Sequence, residues 1–115
     1  MKFILSFIFA LLSQLIFAKS KAPSYTPNVP QPSQSEIRYG KHERNVLDFW
    51  KAESKSPAPV AFVIHGGGWK GGSKERLDRF ADPIALLQAG ISVVAINYRY
   101  VTSDESPPVK APLHD

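Results

Sequence analysis

The apolar run Val60-Ala61-Phe62-Val63-Ile64 passes straight into His65-Gly66-Gly67-Gly68-Trp69. Five apolar residues rich in β-branched side chains are too few for a core helix and read as a buried strand. The glycines that follow carry no Cβ, so the backbone there can bend sharply and approach a ligand closely. Amide N–H groups set in such a bend can converge on one oxygen atom, which is how the oxyanion of acyl transfer is stabilised. The junction therefore restricts the chain to folds in which a strand delivers a glycine loop to a site.

The neighbouring residues narrow the choice further. Residues 36–40 and 45–52 read as two strands joined by the polar turn Lys41-His42-Glu43-Arg44. Ile37 and Tyr39 share one face of the first, and Leu47 and Phe49 share one face of the second, at the period-2 spacing of half-covered strands. Pro57 and Pro59 punctuate the next connection. Residues 91–96 are again apolar apart from Ser92, and with Val60–Ile64 they have the pattern of parallel strands covered on both faces. Between those two runs, Leu77, Phe80, Ile84 and Leu87 recur at three and four residues and predict one apolar helical stripe. Pro83 would damage a continuous helix, but Asp82 as N-cap with Pro83 in the first helical position allows a fresh start. Gly90 sits where a glycine ends the helix before the next strand. The predicted fold class is α/β, an antiparallel hairpin followed by a βαβ unit of a mostly parallel sheet.

At the N-terminus, Met1-Lys2 precedes an apolar stretch, residues 3–17, interrupted only by Ser6, Ser13 and Gln14. It is too short to span a bilayer comfortably, so residues 1–18 read as a cleaved secretion signal, and no stable membrane span is expected. The expected destination is the periplasm or the cell exterior. Residues 19–35 carry Pro23, Pro27, Pro30 and Pro32 among small polar residues and read as an extended Pro/Ser-rich spacer. Residues 36–115 remain for the folded portion.

The net charge of +4 is spread along the chain. A cluster from Lys70 to Arg79 also holds Glu75 and Asp78 and reads as a solvated helix start, so nucleic acid is not an expected partner. The absence of cysteine excludes disulfides, a thiolate nucleophile and Cys-based metal sites. His42, His65 and His114 are widely spaced singles, so no metal site and no cofactor are expected.

Gly66-Gly67-Gly68-Trp69-Lys70-Gly71 literally satisfies G-x-G-x-x-G, which makes a dinucleotide-binding βαβ unit a less favoured alternative. Trp69 and Lys70 would crowd the tight turn, and the following strand ends in Asn97 where an acid would hold a ribose hydroxyl. A P-loop fails because Ser73-Lys74 reverses the required order. A glycine turn without chemistry, with His65 as a strand-end histidine, is the plain structural alternative.

Residues 36–115 resemble the N-terminal part of an α/β-hydrolase-fold carboxylesterase. They are similar to hormone-sensitive-lipase-like enzymes and to bacterial feruloyl- or acetyl-esterase-like members. The pieces that carry the resemblance are Asn45-Val46-Leu47-Asp48, residues 59–64, His65-Gly66-Gly67-Gly68-Trp69, and Val93-Val94-Ala95-Ile96-Asn97-Tyr98-Arg99. Asn97 departs from the Asp usual before Tyr-Arg. The resemblance implies a partial α/β-hydrolase fold, a serine-type carboxylic ester hydrolase, and a small ester or acylated carbohydrate as substrate. It implies an oxyanion hole formed by the amides of Gly67 and Gly68, in a loop completed by His65, Gly66 and Trp69. His65 would fix the loop by hydrogen bonding, and Trp69 would pack beneath it or wall the acyl site.

The sequence contains no G-x-S-x-G elbow, and so supplies no recognisable triad. Ser73, Asp78 and His114 stand in the required order, but nothing in the sequence places them together, and Ser73 reads better as a helix N-cap. The resulting expectation is a hydrolase portion ending before its nucleophile and inactive alone. The alternative is a catalytically inactive half-domain or binding remnant.

Overall fold

The computed structural model describes residues 23–104 and 106–115, so the signal read into residues 1–18 lies outside the described residues. Four strands form one sheet: β1 (Gln34–Arg38), β2 (Val46–Trp50), β3 (Val60–Ile64) and β4 (Ser92–Ile96), in the spatial order β1-β2-β4-β3. β1 and β2 pair antiparallel, as do β2 and β4, whereas β3 and β4 run parallel from Val60↔Ser92 to Ile64↔Ile96. The expected hairpin and βαβ crossover both form. β4 lies between them and joins them into a single mixed sheet.

Directly paired residues share a face of a sheet, so the register sorts the side chains. One face carries Asp48 and Trp50 of β2, Val93 and Ala95 of β4, and Ala61 and Val63 of β3. Trp50, Val93, Ala95, Leu77 and Val29 form the buried core on this side, flanked by Leu86 and Leu87. The opposite face carries Leu47, Phe49, Val94, Ile96, Phe62 and Ile64. It is left partly open, with Phe62 58% exposed. Coverage on both faces thus holds for β4 but not for β3, because β3 is the edge of the sheet. The hairpin is also buried the other way round from its apolar pattern: Val46, Asp48 and Trp50 are the buried side of β2, while Leu47 and Phe49 are intermediate.

The single helical stripe does not form. Residues Lys74–Arg79 make a 3-10 helix whose backbone leaves helical angles at Arg76, and α1 (Pro83–Gln88) begins afresh. The side chain of Asp82 caps α1 by accepting from the Ala85 N–H at 3.0 Å, with Pro83 next in line. Gly90, at φ +77°, turns the chain into β4. Because the break resets the helical phase, Leu77 is buried whereas Phe80 and Ile84 are about half exposed.

Residues 23–33, read from composition as an extended tether, pack against the sheet instead. Val29 is buried in the core. The Tyr25 ring meets Trp50 edge-on at 5.3 Å, and the Trp50 indole N–H donates to the Pro30 carbonyl at 2.8 Å. The prolines limit the freedom that ordering removes, and Trp50 offers a large surface to only two apolar side chains. A short helix, α2 (Lys110–Leu113), buries Ala111 and Pro112. No helix among the described residues is long and apolar enough to cross a membrane.

Candidate active-site loop

The glycine loop leaves the C-terminal end of β3 and folds back on itself. Gly67, Gly68 and Gly72 have φ of +136°, +62° and +95°. A Cβ on Gly67 would lie 2.1 Å from the Gly71 carbonyl oxygen, and one on Gly72 would lie 2.3 Å from the Gly66 oxygen. The two limbs, 66–67 and 71–72, therefore touch backbone to backbone, and only glycine fits there. Gly68 differs, since nothing lies within 4 Å of a Cβ placed on it, so this side of the loop is open.

Lys70 N–H closes the turn onto the Gly67 carbonyl at 3.1 Å, and Val101 N–H holds the Trp69 carbonyl at 2.9 Å. Among the described residues the N–H groups of Gly67 and Gly68 have no hydrogen-bond acceptor. Two successive amides left without a partner beside an open face are donors available to an oxygen from outside the chain.

His65 is 4% exposed, stacks on Tyr98 at 4.3 Å, and turns Nδ1 to the Gly66 carbonyl at 2.9 Å. Its own carbonyl accepts from the Tyr98 hydroxyl at 2.9 Å. Burial lowers the imidazole pKa. The hydrogen bond to Gly66 opposes that lowering, and the Arg44 and Arg76 cations reinforce it. The Gly66 carbonyl can only accept, so Nδ1–H is the donor. Trp69 takes φ +64°, costly for a residue with a side chain. Its ring packs edge-on against Tyr98 at 5.5 Å. With Phe62, Ile64, Ile96, Tyr98 and Leu113 it walls an apolar cavity of about 500 Å³.

The exit of the loop is fixed by charge. The Lys74 N–H donates to Asn97 Oδ1 at 2.7 Å, so Asn97 in this position accepts a backbone hydrogen bond. The ammonium of Lys74 is 3% exposed and lies 2.5 Å from Glu36, 2.8 Å from Glu75 and 2.9 Å from Asp48. Burial alone would lower its pKa, but hydrogen bonds to Glu36, Glu75 and Asp48 outweigh that and raise it. Asp48 also accepts from the Tyr25 hydroxyl at 2.6 Å and from the Glu36 N–H at 2.7 Å, where Glu36 forms a bulge at φ +54°. Burial, and then the Asp48 carboxylate, push the Tyr25 phenol pKa up. The solvated helix start expected from the sequence is therefore wrong at Lys74. The available signal was Asp48 itself, a charge amid Val46-Leu47 and Phe49-Trp50, since a carboxylate in a covered strand requires a partner.

Ser73 occupies the N-cap position of the 3-10 helix without a side-chain cap bond. Asp78 accepts from Thr26 at 2.5 Å, and His114 caps the C-terminus of α2. No hydrogen bond or ion pair among the described residues joins these three into a triad. The dinucleotide alternative lacks the α-helix N-terminus that would receive a pyrophosphate, since a six-residue 3-10 helix follows the loop. Among the described residues no group of three or more His, Cys, Asp or Glu could hold a metal ion.

The BD-FAE family model matches residues 47–114. Over 71 residues the chain is 39% identical to the probable carboxylic ester hydrolase LipM of Mycobacterium tuberculosis, covering 56% of this chain and 16% of LipM. A truncated form of a carbohydrate esterase from gut microbiota superposes with a TM-score of 0.51 at 18% identity, over 77% of this chain and 34% of that one. A structure from Silicibacter sp. assigned as a thioesterase gives 0.52 at 21% identity, over 68% of this chain and 29% of that one. The chain thus spans 16% of the curated relative's length. At these identities the two solved structures establish the fold, an α/β-hydrolase type present here in part.

Proposed function

The chain belongs to the BD-FAE family of esterase-like α/β hydrolases, and from that membership we propose that it supplies the oxyanion loop of a serine-type carboxylic ester hydrolase. The observation that carries this reading is the pair of successive amides, Gly67 and Gly68, without internal acceptors at the end of β3. As a nucleophile hydroxyl adds to the ester carbonyl, the carbonyl oxygen takes up negative charge and accepts from these two N–H groups. A third donor comes from the residue after the nucleophile, which this sequence does not contain in an elbow motif. One such donor is worth on the order of 3 kcal/mol at the transition state. His65 holds the loop in place and Trp69 walls the apolar cavity, which suits the acyl or aryl part of a small ester or acylated carbohydrate. The reading includes export to the periplasm or cell exterior by residues 1–18, and no triad member within the chain.

The test exchanges the matching residues of LipM for those of this chain and follows hydrolysis of 4-nitrophenyl acetate. Turnover in the chimera that falls by about 100-fold in its Gly67→Ala form, whose added Cβ collides with the Gly71 carbonyl and pushes the loop amides off the oxyanion, is the expected result. A folded chimera whose turnover ignores Gly67, or turnover by the unmodified chain that survives Ser73→Ala, would overturn the reading.

A further inference from the structure

The loop's outer limb is gripped from across β4 by a residue of the hairpin turn. Arg44 Nη2 donates to the Gly72 carbonyl at 3.1 Å, and Nε donates to the Tyr98 carbonyl at 2.8 Å. The guanidinium lies over the Tyr100 ring, 3.9 Å from its centroid. The Tyr100 hydroxyl donates to the same Gly72 carbonyl. One carbonyl oxygen thus accepts two side-chain donors, and one guanidinium spans the glycine loop and the segment after β4.

We propose that Arg44 is a positioning residue for the oxyanion loop, setting the Gly67 and Gly68 amides through the Gly71–Gly72 limb. The path is short and made of backbone. Gly72 is pinned by Arg44 and Tyr100, and the adjoining Gly71 carbonyl lies where a Cβ on Gly67 would collide at 2.1 Å. The Gly71–Gly72 limb therefore forms the wall against which Gly67 rests, and a shift of Gly72 changes the support of Gly67. Arginine is required because its planar fork places two donors at once and stacks on a ring, which the single ammonium of lysine cannot do. Arg44 is part-exposed in a turn, so its replacement leaves the core residues in place.

This inference rests on the oxyanion reading for its meaning but not for its test. Glycine-selective ¹⁵N labelling of the whole chain reports seven amides, five of them in the loop and one, Gly90, at the end of α1. In Arg44→Gln the Gly67 and Gly68 amide signals are expected to shift, with Gly90 unchanged. Arg44→Lys is expected to fall between wild type and Arg44→Gln. Tyr100→Phe, which removes the other donor to Gly72, is expected to move the same two signals. Unchanged Gly67 and Gly68 in Arg44→Gln would overturn the proposal. So would a displacement of Gly90 equal to theirs in both Arg44 variants, because that reports general loosening. If the two amides respond to Arg44 while turnover of the LipM chimera ignores Gly67→Ala, positioning stands and the oxyanion reading falls.

Discussion

The Asp48 carboxylate and the Lys74 ammonium lie 2.9 Å apart with their side chains 2% and 3% exposed, joining the middle of β2 to the exit of the glycine loop. Removing one member strands the other charge in a covered site, which typically costs 3–5 kcal/mol, whereas replacing a whole pair by apolar groups is far gentler. Lys74→Met is therefore expected to lower the urea midpoint severely, and Asp48→Leu/Lys74→Met to recover much of the loss. Equilibrium urea unfolding followed by tryptophan fluorescence checks both, and a mild Lys74→Met effect would show that the ammonium is not the keystone of the cluster.

The two central glycines should respond unequally to the same added methyl group. Gly67→Ala meets backbone at 2.1 Å with φ at +136°, while Gly68→Ala enters open space and has only its φ of +62° against it. Gly68→Ala is expected to cost about 1 kcal/mol, the usual penalty of the left-handed region, and Gly67→Ala distinctly more. Thermal unfolding ranks them, and equal losses would contradict the folded-back loop.

The N-terminal segment should detach when its polar anchor is cut. Tyr25→Phe removes the hydroxyl bonded to Asp48 but leaves the ring against Trp50, for an expected loss of about 1.5–3 kcal/mol, as for a hydrogen bond to a charged group. Limited proteolysis should then cut faster within residues 23–33. Unchanged cutting would mean that the Val29 and Pro30 contacts suffice.

Two pH limits follow from the displaced titrations. The His65 pKa is lowered in the folded chain, so the unfolded chain binds the proton more readily. That contribution to stability is present above the ordinary histidine pKa of about 6.5 and is lost as pH falls below it. Lys74 and Tyr25 are raised, so their contributions are complete below about pH 10, the ordinary range of both groups, and are lost as pH rises beyond it. Denaturant midpoints measured from pH 5 to 11 should show a plateau between these limits. His65→Gln should flatten the acid side, and an unaltered acid limb would exclude His65 as its source.

Much of this architecture is written in short-range patterns. The Val60 and Ile91 runs, the Asp82–Pro83 restart and Gly90 are legible because each rests on local chemistry, and each lands where expected. The stripe through Phe80 and Ile84 misleads because periodicity assumes one unbroken helix, and the 3-10 segment breaks the phase at Arg76. Residues 23–33 mislead because composition averages over a segment whose docking rests on a few residues, Tyr25, Val29 and the Pro30 carbonyl. In the loop, the glycines are visible but their supports are not. Arg44, Asp48 and Asn97 are separated from the glycines by 18 residues or more in sequence order, or lie across the crossover, and only the sheet order brings them to it.

The two margins of the sheet are unlike. β1 presents Gln34, Glu36 and Arg38 together with a bulge, a combination that discourages further pairing, whereas β3 presents Val60, Phe62 and Ile64 to solvent. Lateral accretion is thus one-sided. A fifth strand laid alongside β3 in the same direction would bring its own terminus level with Gly67, so the polarity of the sheet dictates which chemistry an added segment can deliver to the glycines.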